Sequence, residues 1–351
     1  MKVRRPAIAA ALAAMLALPL AGCAMSSPRS DALDSLAGLQ DPDEMTVSSS
    51  PPSTDDTDPS ATPTTTVSTP PRDCIGEDLA TSSYRPDANG NVDDEFVEEI
   101  RQRGFVEVGV DKNTLGFSVR DSATGEYEGF EVDLAHEVAK RIFGAADYDE
   151  ARVRFIPVGS SQKRQFVIDG TVDFTISANT MTCERWEEVA FSSEYYTANQ
   201  EFLVRTDSDL RTVDDLAGAT VCVTDSSSSQ DILESFVPDA IPIVVDERID
   251  CLVEIQEGRA DAYFGHDSFQ YGMQVQHPGL VMRSILPADL TVSHYGIAIA
   301  LDHPGFVRFV NAVLEEVRTD GTWQTLHQQL QDQDGPNIPP ATAPPAAEYR
   351  D

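Results

Sequence analysis

The sequence predicts an α/β protein with mostly parallel sheets, arranged in two lobes. From about residue 106 onward, strand-like runs are followed by runs with apolar residues at helical spacing. This succession of strand and helix units occurs twice with similar size, which indicates two lobes. Hydrophobic residues make up 41% of the 351 residues, which is enough for a packed core.

The first series begins with a predicted strand over residues 106–110. Val132, Ala135, Val138 and Ile142 then recur on one face of a predicted helix. The series continues with a strand over 152–156, a short helix over 165–168 and a strand over 172–176.

The second series is similar in size and is followed by a long amphipathic helix. Its predicted strands cover 220–223, 243–245 and 261–264. One predicted helix begins near residue 230, and a second covers about 249–257. The later helix contains Phe306, Val310 and Val317 and ends near Gly321. Ligands of such sheets bind beyond the carboxyl ends of the strands, often at helix N-termini or between lobes.

The N-terminal segment has the pattern of an export signal. Three bases precede an apolar run over residues 7–20, which is too short to span a bilayer comfortably. Small residues before Cys23 resemble the lipobox of bacterial lipoproteins. This resemblance implies a signal peptide over 1–22, a lipid on Cys23 and anchoring to the outer face of the cell membrane. An ordinary signal peptide with an incidental Cys is the alternative.

Two segments have compositions that are typical of disorder. Residues 23–73 are dominated by Ser, Thr, Pro and Asp, so they cannot bury enough apolar surface to offset the entropy of ordering. We therefore predict a tether there. The proline-rich residues 331–351 predict a flexible tail for the same reason.

Four cysteines follow Cys23, and they indicate an oxidising location. Three pairings are possible. We favour Cys222–Cys251 because both lie in one later region, which leaves Cys74–Cys183 as the second pair. Zinc is the alternative, but neither a Cys-x2-Cys spacing nor a His pairing supports a metal site.

The charge balance excludes two classes of partner. There are 59 acidic and 25 basic residues, which gives a formal net charge of −34. A nucleic-acid-binding protein needs a basic face to displace counterions, and a helix that lies on an anionic membrane is also basic. The few bases of the folded part therefore become the informative residues.

Eight short segments in this order resemble the polar-amino-acid solute-binding proteins of ABC importers, family 3. They are YEGFEVDLA at 127–135, GTVDF at 170–174, TMTCER at 180–185, FSSEYY at 191–196, DDLAG at 214–218, GRADA at 258–262, YGIA at 295–298 and DGTW at 320–323. The resemblance covers about residues 92–330.

The resemblance implies a type II periplasmic-binding-protein fold, in which two α/β lobes joined by two hinge strands close on one amino acid. Lobe 1 would comprise 74–200 and 294–330, and lobe 2 would comprise 201–293. The resemblance implies a monomer without a cofactor or a metal.

A free amino acid needs a planar donor for its carboxylate and an acid for its ammonium. By resemblance, Arg185 would bind the α-carboxylate with help from the Thr180 hydroxyl. Asp267 would hold the ammonium, although the adjacent His266 could occupy the ammonium-binding position of the family instead. Arg185 could instead be an exposed residue of a first helical turn, and Asp267 could be a helix N-cap.

A serine run after the strand at 220–223 adds a further candidate contact. Ser226, Ser227 and Ser228 could present backbone N–H groups and hydroxyls to the α-carboxylate, or they could simply cap the following helix. Ser161 and Arg164 resemble the Ser-x-x-Arg segment with which glutamate/aspartate binders of the family grip the side-chain carboxylate.

Lys112 follows the first strand at a family ligand position and could supply a second cation. Both Lys112 and Arg164 could instead be solvated surface bases. Phe117 and Tyr127 could line the pocket or belong to the core.

The sequence therefore predicts a binding protein that captures L-glutamate or L-aspartate and delivers it to the membrane permease of an ABC importer. The alternative is a sensor that presents the liganded state to a membrane signalling partner. Six histidines without a Ser–His or Cys–His constellation argue against an enzyme.

Overall fold

A computed structural model describes residues 80–87, 94–334, 338–340 and 343–350, all of which belong to one compact unit over Val67–Asp351. The predicted signal peptide and tether, with Cys23 and Cys74, lie outside the described residues. Within the described ranges, every helix is too short or too polar to cross a bilayer.

Lobe 1 is built on a five-stranded sheet. In spatial order its strands are Val153–Pro157, Val106–Val110, Phe174–Thr175, Ala298–Ile299 and Ala190–Phe191. Val106–Val110 pairs in parallel with both of its neighbours, whereas Ala298–Ile299 is antiparallel to both of its own. The helices of this part of the chain are Glu95–Arg103, Phe130–Phe143, Gln165–Ile168, Pro304–Thr319 and Thr322–Asp334.

Apolar side chains from these helices and from the sheet form one continuous core. Leu134, Val138 and Ile142 lie on the buried face of Phe130–Phe143, and Phe306 and Val310 lie on that of Pro304–Thr319. A small antiparallel sheet of Asn113–Thr114, Ser118–Arg120 and Tyr127–Glu128 flanks lobe 1.

Lobe 2 is built on a six-stranded sheet. Five of its strands follow the order Ile241–Val245, Thr220–Thr224, Ala262–His266, Tyr196–Arg205 and Leu280–Arg283, and Val292–Tyr295 also pairs with Tyr196–Arg205. Its helices are Ser228–Phe236, Arg248–Gln256, Asp267–Gln276 and Ala288–Thr291. Short 3-10 helices cover Glu150–Arg152, Arg185–Glu187 and Val213–Leu216.

Two strands connect the lobes. The first half of Tyr196–Arg205 pairs with Val292–Tyr295, and its second half pairs with Ala262–His266 and Leu280–Arg283. The return strand Val292–Tyr295 leads directly to Ala298–Ile299 in the sheet of lobe 1. The two-lobed α/β fold with crossing strands is therefore the fold that the sequence predicts.

A disulfide in lobe 2 joins its sheet to one of its helices. Cys222, on Thr220–Thr224, bonds to Cys251, on Arg248–Gln256, with a Cα–Cα distance of 5.6 Å. Cys183 is also disulfide-bonded, and the predicted partner Cys74 lies outside the described residues. The Cys222–Cys251 disulfide links the helix Arg248–Gln256 covalently to the sheet of lobe 2. Arg248, the first residue of this helix, lines the cleft.

The C-terminal residues differ from the flexible tail that the composition predicts. Thr322–Asp334 continues the helix beyond residue 331, and Tyr349–Arg350 pairs in parallel with Ser83–Tyr84. Ile338 is buried, and the Tyr349 hydroxyl donates to Glu315 at 2.9 Å. A few anchoring contacts therefore outweigh the low average hydrophobicity of this segment.

Candidate functional site

A pocket lies between the two lobes, beyond the carboxyl ends of strands from both sheets. Lobe 1 contributes Ser160, Lys163, Ala178, Thr180 and Arg185. Lobe 2 contributes Thr224, Ser227, Ser228, Ser229, Arg248, Tyr263, His266 and Phe269. The described wall therefore contains hydroxyls, three strong bases and a histidine, but no carboxylate.

Arg185 is buried in the lobe 1 wall. Its guanidinium donates to the Thr180 carbonyl oxygen at 3.1 Å and to the Ser226 carbonyl oxygen of lobe 2 at 3.4 Å. Burial, with repulsion from Arg164, lowers the pKa of Arg185 to about 10, so it remains a cation at neutral pH. No carboxylate of the described residues lies within ion-pair distance of it.

The serine run is the N-terminus of Ser228–Phe236. Ser227 caps this helix, because its hydroxyl accepts from Gln230 N at 3.2 Å and donates to the Thr224 carbonyl at 2.6 Å. Ser228 Oγ meets Thr180 Oγ1 of lobe 1 at 3.2 Å. Ser226 has a left-handed φ of 55° and presents its carbonyl, not its hydroxyl, to Arg185. Unpaired N–H groups and the helix dipole favour an anion at this point.

Lys163 is a buried base of the pocket wall that was not predicted from the sequence. Its ammonium donates to the carbonyl oxygens of Ser177 and Ala178 at 3.2 and 3.3 Å. Burial, with repulsion from Arg185 and Arg248, lowers the pKa of Lys163 well below its usual value. An anion in the pocket would favour its charged form.

The predicted pair Ser161 and Arg164 lies outside the pocket, whereas Ser160 and Lys163 line it. Ser161 is exposed, and Arg164 forms an ion pair with Glu188 at 2.6 Å. The turn that begins at Gly159, whose carbonyl accepts from Lys163 N, directs Ser160 and Lys163 inward instead. Both pairs share the spacing i, i+3, so the sequence alone does not fix which of them faces the pocket.

Arg248 was also missed, because one Arg at the start of a helix has no distinguishing pattern. It lies over the Phe269 ring at 3.6 Å and forms an ion pair with Asp111 of lobe 1 at 3.1 Å. Both side chains are only 8% exposed, so this pair is shielded from water and joins the lobes directly.

Lys112 is close to the cleft but does not line the pocket. It pairs with Glu247 of lobe 2 at 3.2 Å, and both side chains are substantially exposed. Phe117 belongs to the core, and Tyr127 packs against that core from outside the pocket wall.

His266, not Asp267, faces the pocket. The His266 ring contacts the Tyr295 hydroxyl at 2.5 Å and Ser228 Oγ at 3.2 Å. Burial, with repulsion from Lys163 and Arg248, lowers the pKa of His266 well below its usual value, so the ring is neutral. The side chain of Asp267 turns away and accepts from the backbone N–H groups of Ser268 and Asn199.

Asp267 faces a separate pocket lined by Tyr196, Tyr271 and Trp323. Burial raises the pKa of its carboxyl to about 6. Among the residues placed by the structure, no group of three or more His, Cys, Asp or Glu could hold a metal ion.

The Asp267→Asn variant should be more stable than the wild type at pH 8, by roughly 1–3 kcal/mol. The folded protein holds the Asp267 proton more tightly than the unfolded chain, since the pKa is raised from 3.8 to about 6. The stabilisation of the folded state by the protonated Asp267 carboxyl is complete at low pH and is lost as the pH rises through about 6. Urea unfolding at several pH values measures it, and an unchanged pH profile in the variant would contradict the assignment.

The comparisons with known proteins agree with this architecture. The glutamine-binding protein GlnH of a Bacillus subtilis (strain 168) ABC transporter is 28% identical over 232 residues, which cover 66% of this chain and 82% of that protein. The glutamate-binding protein GluB of Corynebacterium glutamicum is 26% identical over 238 residues, which cover 66% and 80%.

Solved structures of other binding proteins are also similar to this chain. Holo ArgBP from T. maritima superposes with a TM-score of 0.57 at 28% identity, covering 66% of this chain and 98% of that chain. The ancestral amino acid-binding protein AncCDT-1, a precursor of cyclohexadienyl dehydratase, has a TM-score of 0.59 at 28% identity, covering 67% and 98%. Residues 106–332 match the description "Bacterial extracellular solute-binding proteins, family 3". The chain belongs to this family of extracellular solute-binding proteins.

Proposed function

We propose that the protein captures a small acidic solute between its lobes and delivers it to the permease of an ABC importer, with L-glutamate and L-aspartate as the amino-acid candidates. The observation that carries this proposal is the pocket wall, which combines Lys163, Arg185 and Arg248 with hydroxyls and contains no carboxylate among its described residues.

The wall offers two positive regions. One region consists of Arg185, Thr180 and the N-terminus of the helix Ser228–Phe236. It suits a carboxylate because guanidinium, hydroxyl and N–H donors converge there. Lys163 and Arg248 are the remaining cations, and they suit a second carboxylate. The relatives named for glutamine and glutamate support an amino-acid-sized ligand.

The acidic surface does not prevent such a ligand from binding. Exposed charges are screened over a Debye length of about 8 Å at physiological salt. A unit ion pair at 4 Å contributes about 4 kcal/mol at an effective dielectric near 20, before the cost of desolvation. The local cations therefore outweigh the net charge of −34 once the ligand is inside the cleft.

The proposal includes attachment to the outer face of the cell membrane through a lipid on Cys23. The small residues before Cys23 support it, and the Ser/Thr/Pro-rich residues after it would provide reach from the membrane. Mass spectrometry of the mature N-terminus tests this part separately, since an unmodified N-terminus at another residue would contradict it.

The proposed ligand class is tested by calorimetric titration of the purified full-length protein. L-glutamate or L-aspartate should bind, whereas L-arginine should not, because its guanidinium would be buried beside three bases without a counter-charge. Binding of glutamine or arginine in the absence of binding by either acid would overturn the proposal.

Arg185→Ala should weaken binding of an acidic ligand by about 100-fold or more, because it removes a desolvated charge partner. Arg164→Ala is the matched control. It removes a neighbouring guanidinium that pairs with Glu188 instead of lining the pocket, and it should change affinity by less than about threefold. Equal losses in the two variants would show that the site is placed incorrectly.

At pH values above the lowered pKa of Lys163, binding of an anionic ligand should be accompanied by proton uptake on its amine. Burial and the neighbouring arginines lower the pKa of this ammonium in the free pocket, and an anion beside it would raise that pKa again. Affinity should therefore fall as the pH rises above the lowered pKa.

The measurement of this uptake is the calorimetric enthalpy in two buffers with different heats of ionisation. The enthalpies should differ for the wild type and agree for Lys163→Met. Equal enthalpies for the wild type would show that Lys163 does not change its protonation on binding.

A further inference from the structure

A second cavity, with a volume of about 280 Å³, lies at the hinge. It has no described lining residue in common with the pocket between the lobes. Its lining comes from the hinge strand Tyr196–Arg205, the lobe 2 helix Asp267–Gln276, the lobe 1 helix Thr322–Asp334, and Pro339 and Pro345 of the C-terminal segment. A molecule in this cavity would therefore contact both lobes and a strand that connects them.

Asp267 is the acid of this cavity, and its charge is uncompensated. The carboxylate accepts from Ser268 N at 2.7 Å and from Asn199 N at 3.1 Å, and both donors are neutral. No Lys, Arg or His of the described chain forms an ion pair with it. The C-terminal segment beside the cavity adds no base either, because the sequence has neither Lys nor Arg between Arg318 and Arg350.

The isolated carboxylate is costly at the pH of most extracellular fluids. Burial raises the pKa of Asp267 to about 6, so the group is mainly ionised at pH 8. A buried charge needs a partner to offset the loss of its hydration. The cavity therefore lacks one positive charge, which a bound cation would supply.

His327 adds an unused hydrogen-bonding group to the same cavity. The residue is only 5% exposed, and its ring stacks on Trp323 at 4.9 Å and on Tyr196 at 6.2 Å between ring centroids. Neither ring nitrogen has a hydrogen-bond partner among the described residues. Burial lowers the pKa of His327, so the ring is neutral and one nitrogen can accept a hydrogen bond from a ligand.

Aromatic and proline side chains complete the described wall. Tyr196, Tyr271 and Trp323 line the cavity with His327, and the negative faces of such rings attract cations. The Trp323 indole N–H is already used, since it donates to the Tyr195 carbonyl at 2.8 Å. The wall thus combines one carboxylate, one free acceptor nitrogen and apolar surface, which together suit a cation with N–H donors.

We propose that this cavity is a second ligand site, separate from the pocket between the lobes, for a small primary ammonium compound with an apolar body. The ammonium pairs with Asp267 and donates a hydrogen bond to His327, and the apolar body packs against the aromatic and proline side chains. The site does not depend on which amino acid the other pocket takes.

Phenethylammonium is the probe, and two compounds with the same body are its controls. 2-Phenylethanol replaces the ammonium by a neutral hydroxyl, whereas trimethylphenethylammonium keeps the charge but has no N–H donor. Calorimetric titration of the purified full-length protein at pH 8 should show one bound phenethylammonium. Both controls should bind roughly tenfold or more weakly, because each loses a charge-assisted hydrogen bond.

Three variants locate the site. Asp267→Asn preserves the size of the side chain and should weaken phenethylammonium binding by about tenfold or more. Asp289→Asn is the matched control, because it removes an exposed acid of lobe 2 that does not line the cavity, and it should change affinity by less than about twofold. Arg185→Ala, which alters the other pocket, should also leave the affinity unchanged.

His327→Phe tests the hydrogen bond without relying on the Asp267 variant. It keeps a ring that can stack on Trp323 but removes both nitrogens. It should weaken phenethylammonium by about tenfold and leave trimethylphenethylammonium within about threefold of its wild-type affinity. Wild-type affinity of His327→Phe for phenethylammonium would overturn the assignment of the acceptor.

The remaining outcomes are equally decisive. Failure of phenethylammonium to bind the wild type overturns the proposal. Equal losses in Asp267→Asn and Asp289→Asn show attraction by the net charge of the protein, and a loss confined to Arg185→Ala places the amine in the other pocket, so both overturn it. Trimethylphenethylammonium that binds the wild type as tightly as phenethylammonium overturns the choice of a primary ammonium.

Discussion

The burial of positive charge between two lobes is the constraint on which the rest of the structure depends. Removing a guanidinium or ammonium from water is costly unless a counter-charge replaces the solvent. Arg248 obtains this counter-charge from Asp111 across the cleft, at a distance of 3.1 Å. Lys163 and Arg185 have only carbonyl oxygens, which orient them without neutralising them. Under the proposed function, a ligand anion completes the electrostatics of the cleft.

The connections between the lobes explain how such a cleft can form. Tyr196–Arg205 belongs to two pairings at once, with the return strand in its first half and with the sheet of lobe 2 in its second half. Contacts at the cleft then join the lobes a second time, through Asp111–Arg248, Thr180–Ser228 and the exposed pair Lys112–Glu247. Two of these contacts, Asp111–Arg248 and Thr180–Ser228, involve residues that line the pocket, so the pocket wall depends on both lobes.

The regular elements were largely predictable because their signal is local. The helix at Phe130–Phe143 and the strand at Val106–Val110 follow from apolar spacing alone. The hinge strand Tyr196–Arg205 was expected from the family resemblance and not from local pattern, because its later residues are buried without alternation. The C-terminal segment was predicted to be flexible from its composition, whereas its order comes from contacts such as that of Tyr349 with Glu315, distant in sequence.

The sequence by itself determined the fold class, the family and the presence of Arg185, Thr180 and the serine run at a cleft, because these follow from periodicity and from motifs in order. Only the tertiary structure decided which bases face that cleft. The turn at Gly159 selects Lys163 over Arg164, and the docking of its helix brings Arg248 to Asp111. Neighbouring residues of a turn or helix start point in different directions, so a shift of one position exchanges a charge that lines the pocket for one that forms an ion pair outside it.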